Sequence, residues 1–214
     1  GFTLDDDGNN ANTYSNTELF SDLEDGSFQI NEVAVSAYII TNISCEGDTN
    51  STITIGDADG FDDGDVGVGI TLSDAEDITC TFTNTEEAAL TIVKKVVNDN
   101  GGTAVVGDFT ITTDAGSLVF GTAVESPDDT FTYTSTKLTG LTPGAFTLRE
   151  IGIAGYTEGT WSCTGGTSLN SSIDNGSVTL AAGDDVTCTI TNDDDGAALT
   201  IVKKVVNDNG GTAV

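Results

Sequence analysis

The sequence contains no histidine and no methionine, and only 6 of its 214 residues are basic against 35 that are acidic. The formal net charge of −29 repels phosphate, so nucleic acid is excluded as a partner. Histidine-based acid–base catalysis and histidine-containing zinc sites are excluded with the histidine. No phosphate-binding loop or nucleophile elbow is present either, and we therefore expect no enzyme of the turnover kind.

Long apolar runs are also missing. No stretch approaches the ~20 apolar residues of a membrane-spanning helix, so we expect no membrane span. The chain opens on Gly-Phe-Thr-Leu, which already has the pattern of a strand, and no signal peptide or anchoring motif is visible in it, so we expect any targeting signal to lie elsewhere. We expect a mature or cropped segment of a secreted or surface protein.

An internal repeat is the clearest feature that is present. Residues 88–105, AALTIVKKVVNDNGGTAV, recur without change at 197–214, 109 positions later. The segments that follow also recur in order: SFQINEVAVSAY at Ser27 matches AFTLREIGIAGY at Ala145, and ITCTFTN ending at Asn84 matches VTCTITN ending at Asn192. Such self-similarity is typical of tandem copies of one small domain.

The phase of the repeat predicts three parts. Residues 1–87 form a domain that lacks its first strand, residues 88–195 form a complete domain, and residues 196–214 are the first strand of a following one. Two explanations stay open. The sequence is a window on one long polypeptide, or the C-terminal strand of one chain completes the N-terminal domain of the next.

Short runs such as ITCTFTN, DFTITTD, TFTYTST, AFTLREI and SVTL alternate polar and apolar residues between Gly, Asn and Asp clusters. This alternation predicts strands, about seven per repeat. We therefore predict an all-β protein of tandem immunoglobulin-like or prealbumin-like β-sandwich domains.

The four cysteines pair naturally within the repeats, Cys45 with Cys80 and Cys163 with Cys188. Neither a CxxC motif nor a histidine is available for a tetrahedral metal site, so structural disulfides are favoured. Disulfides are typical of an extracellular or cell-surface location. Trp161, two residues before Cys163, is expected to pack in the core against the disulfide.

Strand alternation places three polar side chains among apolar ones. Lys94 shares a strand face with Leu90, Ile92 and Val96; Glu150 shares one with Phe146 and Leu148; and Asn192 shares one with Cys188 and Ile190. These faces are expected to point into the core, where a lysine, a glutamate and an asparagine are unusual.

Together these motifs resemble the prealbumin-like domains of bacterial surface proteins, the collagen-adhesin B-type or SpaA-like pilin repeats. Those domains carry a lysine in the first strand, a glutamate in a YxLxE…GY segment and an asparagine near the end of the last strand. Here the matching residues are Lys94 in LTIVKK, Glu150 in FTLREIGIAGY and Asn192 in TITN.

The resemblance implies an autocatalytic isopeptide bond between Lys94 and Asn192, assisted by Glu150. The alternative is that Lys94 snorkels or pairs with Glu150 and that Asn192 forms a turn. In the N-terminal domain Glu32 and Asn84 match the glutamate and the asparagine, but residues 1–87 contain no lysine or arginine. Lys203, from a neighbouring chain or a preceding repeat, is the candidate to supply the amine.

An acidic insertion lies between Cys45 and Cys80. Hard oxygen ligands in a Gly-rich loop suit calcium, and a solvated acidic loop is the favoured alternative because the spacing is not that of an EF-hand. We expect no other cofactor. The candidate ligands are Asp57, Asp59, Asp62, Asp63 and Asp65.

These observations predict a structural subunit or repeat segment of an extracellular filament or cell-surface stalk, assembled head to tail with itself by β-strand complementation. The alternative function is a ligand-binding adhesin module, for which Tyr14, Phe20, Tyr38 and Phe61 are scattered candidate contacts.

Overall fold

The computed structural model describes residues 1–4, 14–57, 60–166, 168–170 and 176–212. Over these ranges the protein is all-β, and its one helical segment is a single 3-10 turn at Val106–Asp108. The chain divides into two compact units, Gly1–Thr85 and Glu86–Val214, called unit 1 and unit 2 below. The described residues include no helix that is long and apolar enough to cross a membrane.

Unit 2 is a two-sheet structure built from short strands rich in β-branched residues, as the alternating pattern predicted. Its strands are β6 Ala88–Val97, β7 Thr110–Thr112, β8 Val124–Glu125, β9 Thr130–Thr134, β10 Leu138–Leu141, β11 Gly144–Ile151, β12 Tyr156–Glu158, β13 Ser162–Thr164, β14 Ser168–Asn170, β15 Gly176–Leu180 and β16 Asp185–Asp194.

The larger sheet has the order β12-β16-β6-β9-β8, with β10 added to β6 and β13 added to β16. Strand β6 is therefore central. It runs parallel to β16 and antiparallel to β9. The second sheet has the order β14-β15-β11-β7.

The core of unit 2 lies between these sheets. Apolar side chains of β6 and β16 from one sheet and of β11 and β15 from the other form a single buried cluster, as in a β-sandwich. Its fully buried members include Leu90, Ile92, Leu148, Val178 and Ile190.

Both predicted disulfides are present, Cys45–Cys80 and Cys163–Cys188. Cys163 and Cys188 are directly opposite each other on β13 and β16. Trp161 packs in the same core cluster as Cys188, which confirms the predicted packing role. A Cβ at Gly176 would lie 2.6 Å from the Trp161 ring, so this position has room only for glycine.

Unit 1 contains two smaller sheets, a three-stranded sheet of order β1-β4-β3 and the pair β2-β5. Of its described residues, Ile43 and Val68 are the only hydrophobic ones that are buried. The strands are β1 Gly26–Asn31, β2 Tyr38–Glu46, β3 Thr52–Ile55, β4 Gly67–Leu72 and β5 Thr79–Glu86, the last of which ends at the boundary with unit 2.

The strands of unit 1 match those of unit 2 in sequence and in pairing. Phe28 of β1 is opposite Ile70 of β4, as Phe146 of β11 is opposite Val178 of β15. Likewise β5 corresponds to β16, and β2 corresponds to β12 and β13. The same sequence pattern therefore produces the same strand pairs in both units.

Leu148→Ala tests the sandwich core of unit 2. Leu148 is completely buried, so the truncation should lower the free energy of unfolding by about 2–5 kcal/mol. The fluorescence of Trp161, the single tryptophan of the chain, reports this unit during urea unfolding. The control Val124→Ala alters a side chain that is 71% exposed and should change stability by about 0.5 kcal/mol or less. Equal effects of the two substitutions would contradict the assignment of Leu148 to the core.

Candidate functional site

Lys94, Glu150 and Asn192 meet in the interior of unit 2. Lys94 Nζ lies 2.9 Å and 3.1 Å from the two carboxylate oxygens of Glu150 and also donates to Asn192 Oδ1. The exposed fractions of the three residues are 0%, 2% and 0%. The three polar residues that alternation placed on core-facing strands thus form one buried cluster, called the triad below.

Three strands from both sheets position the triad. Lys94 is on the central strand β6, Asn192 is on its parallel neighbour β16, and Glu150 reaches across from β11 in the opposite sheet. Asn192 is paired in register with Val96, two residues beyond Lys94 on the same face. The lysine and asparagine side chains therefore come from adjacent strands and converge on the glutamate.

The alternative roles considered for Lys94 and Asn192 are partly wrong. Lys94 does not snorkel, because its side chain has no solvent exposure. Asn192 does not form a turn, because it lies within β16. Pairing of Lys94 with Glu150 is observed, as a buried ion pair.

The environment of Lys94 has opposing effects on its charge. Burial lowers the pKa of Lys94 below its usual value, and the nearby Glu150 carboxylate opposes this shift without cancelling it. The Phe109 ring covers the amine, with Nζ 4.0 Å from the ring centroid, and this contact favours the ammonium form. Loss of a proton from Lys94 is therefore easier than from an exposed lysine, and the neutral amine would be a nucleophile beside the Asn192 amide.

The amide nitrogen of Asn192 takes no part in the hydrogen bonds of the triad, which use the amide oxygen. Among the described residues Asn192 Nδ2 has no hydrogen-bond partner, although it is buried. A Cβ at Gly152 would lie 3.8 Å from this nitrogen and 3.2 Å from Glu158 Oε2. The Gly152 position therefore lies close both to the Asn192 amide nitrogen and to the Glu158 carboxylate.

Sequence analysis missed Phe109 and Glu158. Glu158 is directly opposite Asn192 in the pairing of β12 with β16, and its charge acts on Lys94. The signal for Phe109 was available, because it opens the segment FTITTDAG that matches FTLDDDGN at Phe2. The signal for Glu158 was absent, because unit 1 has Ile40 at the matching position.

Asp194 stabilises the turn that follows β6. Its carboxylate accepts hydrogen bonds from the backbone N–H groups of Asn100, at 3.0 Å, and Gly102, at 2.6 Å. Burial acts to raise the pKa of Asp194, but these hydrogen bonds outweigh it and the pKa lies below its usual value. The turn sequence NDNGG recurs at 207–211.

Unit 1 contains counterparts of two of the three triad residues. Asn84 Nδ2 donates to Glu32 Oε1 at 2.8 Å, so the residues that match Asn192 and Glu150 are in contact. Asn84 is exposed and Glu32 is half-buried. The position that Lys94 occupies in unit 2 has no counterpart in residues 1–87, which contain no basic residue.

The strand that would carry this lysine is also missing from the described part of unit 1. In unit 2, β16 pairs with β12 and β13 on one edge and with β6 on the other. Its counterpart β5 pairs only with β2 in the described ranges. On the edge of β5 that corresponds to the β6 side, no described residue forms a strand pair.

The segment that would flank this strand on its far side forms no named strand either. Residues 14–19, YSNTEL, match residues 133–138, YTSTKL, which supply parts of β9 and β10 to pair with β6. In unit 1 this segment contributes only an isolated bridge at Ser15. Tyr14 and Leu19 are 49% and 81% exposed.

A second copy of the β6 sequence is exposed at the other end of the chain. The described residues 197–212 contain no strand. Leu199 and Ile201 are 86% and 83% exposed, whereas the identical Leu90 and Ile92 of β6 are completely buried. Lys203, which corresponds to Lys94, is exposed as well.

The acidic insertion of unit 1 forms a turn. Asp65 accepts a hydrogen bond from the Asp62 backbone N–H at 2.9 Å, and Asp57 is exposed. Asp59 lies outside the described residues. In the described part of the chain, the one trio of carboxylates close enough to share a cation is Asp99, Asp193 and Asp194. Calcium binding by the insertion remains a prediction.

No curated protein matches the chain. A family model for a prealbumin-like fold domain does match, over residues 85–190. The match covers β6, which carries Lys94, and β11, which carries Glu150, and it ends two residues before Asn192. Residues 85–190 therefore match the SpaA-type family of prealbumin-like fold domains that the sequence motifs resemble.

Proposed function

We propose that this protein is a structural module of an extracellular filament or cell-surface stalk, in which successive copies of the chain join head to tail by β-strand complementation. The exposed segment 197–212, which repeats the sequence of β6 and of the turn that follows it, fills the edge of β5. One observation supports this most strongly: among the described residues no strand pairs with this edge, at the place where unit 2 has β6, and the same chain carries a second copy of the β6 sequence.

Strand addition would pair the edge of β5 and bury the apolar face of segment 197–212. An open strand edge presents unpaired N–H and C=O groups, and an added strand satisfies them with backbone hydrogen bonds. The apolar face of the segment, which includes Leu199 and Ile201, would be buried as the same face of β6 is in unit 2. The two disulfides and the SpaA-type domain fit an extracellular or surface location.

The exposed aromatic residues of unit 1 support completion more than ligand binding. Tyr14, proposed as an adhesin contact, lies in the stretch that matches β9 and the start of β10. It is 49% exposed, whereas the matching Tyr133, on the strand that pairs with β6, is 7% exposed. Phe20, a second such residue, is 51% exposed. The adhesin function therefore gains no specific support from them.

Within unit 2 we propose an amide bond between Lys94 and Asn192, which braces β6 against β16. A proton passes from Lys94 Nζ to Glu150, and the neutral amine attacks Asn192 Cγ. The Nζ–Cγ bond forms and the Cγ–Nδ2 bond breaks. Glu150 gives its proton to Nδ2, which leaves as ammonia, and then takes the second proton that Nζ loses when it becomes an amide nitrogen. The reaction occurs once per domain, and the module has no turnover.

Intact mass spectrometry of the reduced, denatured protein tests this bond. The wild-type chain should weigh one ammonia less than its sequence, and Lys94→Arg or Glu150→Gln should restore the full mass because the nucleophile or the proton acceptor is lost. The matched control is Lys95→Arg, which changes the exposed neighbouring lysine of β6 and should keep the deficit. Full mass in the wild type would refute the bond.

Sedimentation velocity of the full chain tests strand complementation. Ile201→Ala should weaken association by about 30-fold or more, because burial of a matching isoleucine is worth about 2–5 kcal/mol. Thr200→Ala is the matched control, since the corresponding Thr91 is only half-buried, and it should change association by about twofold at most.

Deletion of residues 197–214 provides the stronger test. The truncated chain should sediment as a monomer, and a labelled peptide of sequence AALTIVKKVVNDNGGT should bind to it. Assembly of the truncated chain at the wild-type concentration, or equal effects of Ile201→Ala and Thr200→Ala, would contradict strand complementation.

A further inference from the structure

The glycine that follows β11 leaves a small space beside the triad. Gly152 is exposed, and a Cβ built on it would lie 3.8 Å from Asn192 Nδ2 and 3.2 Å from Glu158 Oε2. A methyl group at this position would therefore contact both the amide nitrogen and the carboxylate. With glycine there, the space is bordered by a buried amide nitrogen and by a carboxylate oxygen.

Strand pairing fixes Glu158 next to Asn192. The two residues are directly opposite each other on β12 and β16, and opposed residues of antiparallel strands project to the same face. Tyr156, two positions earlier on β12, packs in the core of unit 2, so this face of β12 is the inward one. Glu158 is half-buried and is thus a second carboxylate beside the triad.

The Asn192 amide uses only one of its two polar atoms. Oδ1 accepts a hydrogen bond from Lys94, whereas the buried Nδ2 has no partner among the described residues. A buried N–H group without an acceptor costs free energy, so its place close to a carboxylate requires an explanation. Glu150 contacts the amine that attacks, and Glu158 borders the space next to the nitrogen that would leave.

We propose that Glu158 receives the Asn192 nitrogen as it is released, and that the space at Gly152 is the position through which the resulting ammonia leaves. This role rests on the proposed amide bond between Lys94 and Asn192. It adds to that reaction a binding site for the leaving group, made by two residues outside the triad.

The charge changes of the reaction favour a carboxylate at this place. Nδ2 takes a proton from Glu150 before the Cγ–Nδ2 bond breaks, so the leaving nitrogen carries a positive charge at that moment. A carboxylate that accepts hydrogen bonds from this nitrogen stabilises the charge. Glu158 forms no covalent bond and exchanges no proton, so the atom balance of amide formation is unchanged.

The Glu158 charge also acts on the attacking amine, but weakly. Burial has the largest effect on the pKa of Lys94 and lowers it; Glu150 raises this pKa, and Glu158 raises it least. The Glu158 charge therefore hinders deprotonation of Lys94 less than the Glu150 charge does. Because Glu158 is directly opposite Asn192, its stabilising effect on Nδ2 should outweigh this cost.

Gly152 also connects the space to solvent. Together with Glu150 it lines a surface groove of about 400 Å³. The released ammonia thus has a short path from the buried Asn192 to water, past a residue without a side chain. Its departure into solvent prevents the reverse attack on the new amide.

The rate of mass loss tests the role of Glu158. The full 214-residue chain is made by cell-free synthesis, translation is stopped, and samples are denatured with reductant at intervals and weighed intact. Glu158→Gln should slow the loss of one ammonia about tenfold or more, because it removes the charge that stabilises the protonated nitrogen. Glu158→Asp keeps the charge and should react faster than Glu158→Gln. The control Glu125→Gln removes an exposed carboxylate of β8 and should react at the wild-type rate.

Gly152→Ala tests the space independently of the carboxylate. The nearest atom, Glu158 Oε2, is the end of a flexible side chain, so the fold should tolerate the methyl group while the rate falls about threefold or more. The matched control is Gly144→Ala at the other end of β11, where a Cβ would lie 3.8 Å from Thr142 O, and it should react at the wild-type rate. Trp161 fluorescence checks that each variant is folded.

The outcomes separate this role from the bond on which it rests. A wild-type chain that keeps its full mass at all times would overturn both. If the wild type loses ammonia, equal rates for Glu158→Gln and wild type, or for Glu158→Gln and Glu158→Asp, would overturn the role of Glu158 and leave the bond standing. If Glu158→Gln does not fold, equal rates for Gly152→Ala and Gly144→Ala would overturn it.

Discussion

The structure of unit 2 depends on strand β6, which pairs with β16 on one edge and with β9 on the other. In unit 2 β6 contributes the centre of the larger sheet, the apolar face of the core and the buried lysine. Among its described residues unit 1 buries only two hydrophobic side chains, and the stretch that matches β9 lies outside any strand. The pairs of unit 2 that involve β6, β7 or β8 have no counterpart in the described part of unit 1.

Burial of Lys94 is the second constraint. An ammonium in the core is tolerated only with a counter-charge, and even a well-paired buried ion pair often adds little to stability. Conversion of Lys94 and Asn192 to the proposed amide would remove the buried charge and leave a neutral group. Strand β16 would then be tied to β13 through Cys163–Cys188 and to β6 through the amide, with the two tied residues of β16 four positions apart. Such double attachment suits a module that carries tension.

The sequence allowed the fold class, both disulfides and the burial of Lys94, Glu150 and Asn192 to be predicted, because alternation with a period of two assigns each side chain to a face. It could not supply Phe109 or Glu158 as neighbours of the lysine. Their places depend on how loops return across the sheets and on the register of β12 against β16, which no local pattern encodes. The contact between Glu32 and Asn84 was suggested by the alignment of the repeats, but its formation without a lysine required the structure.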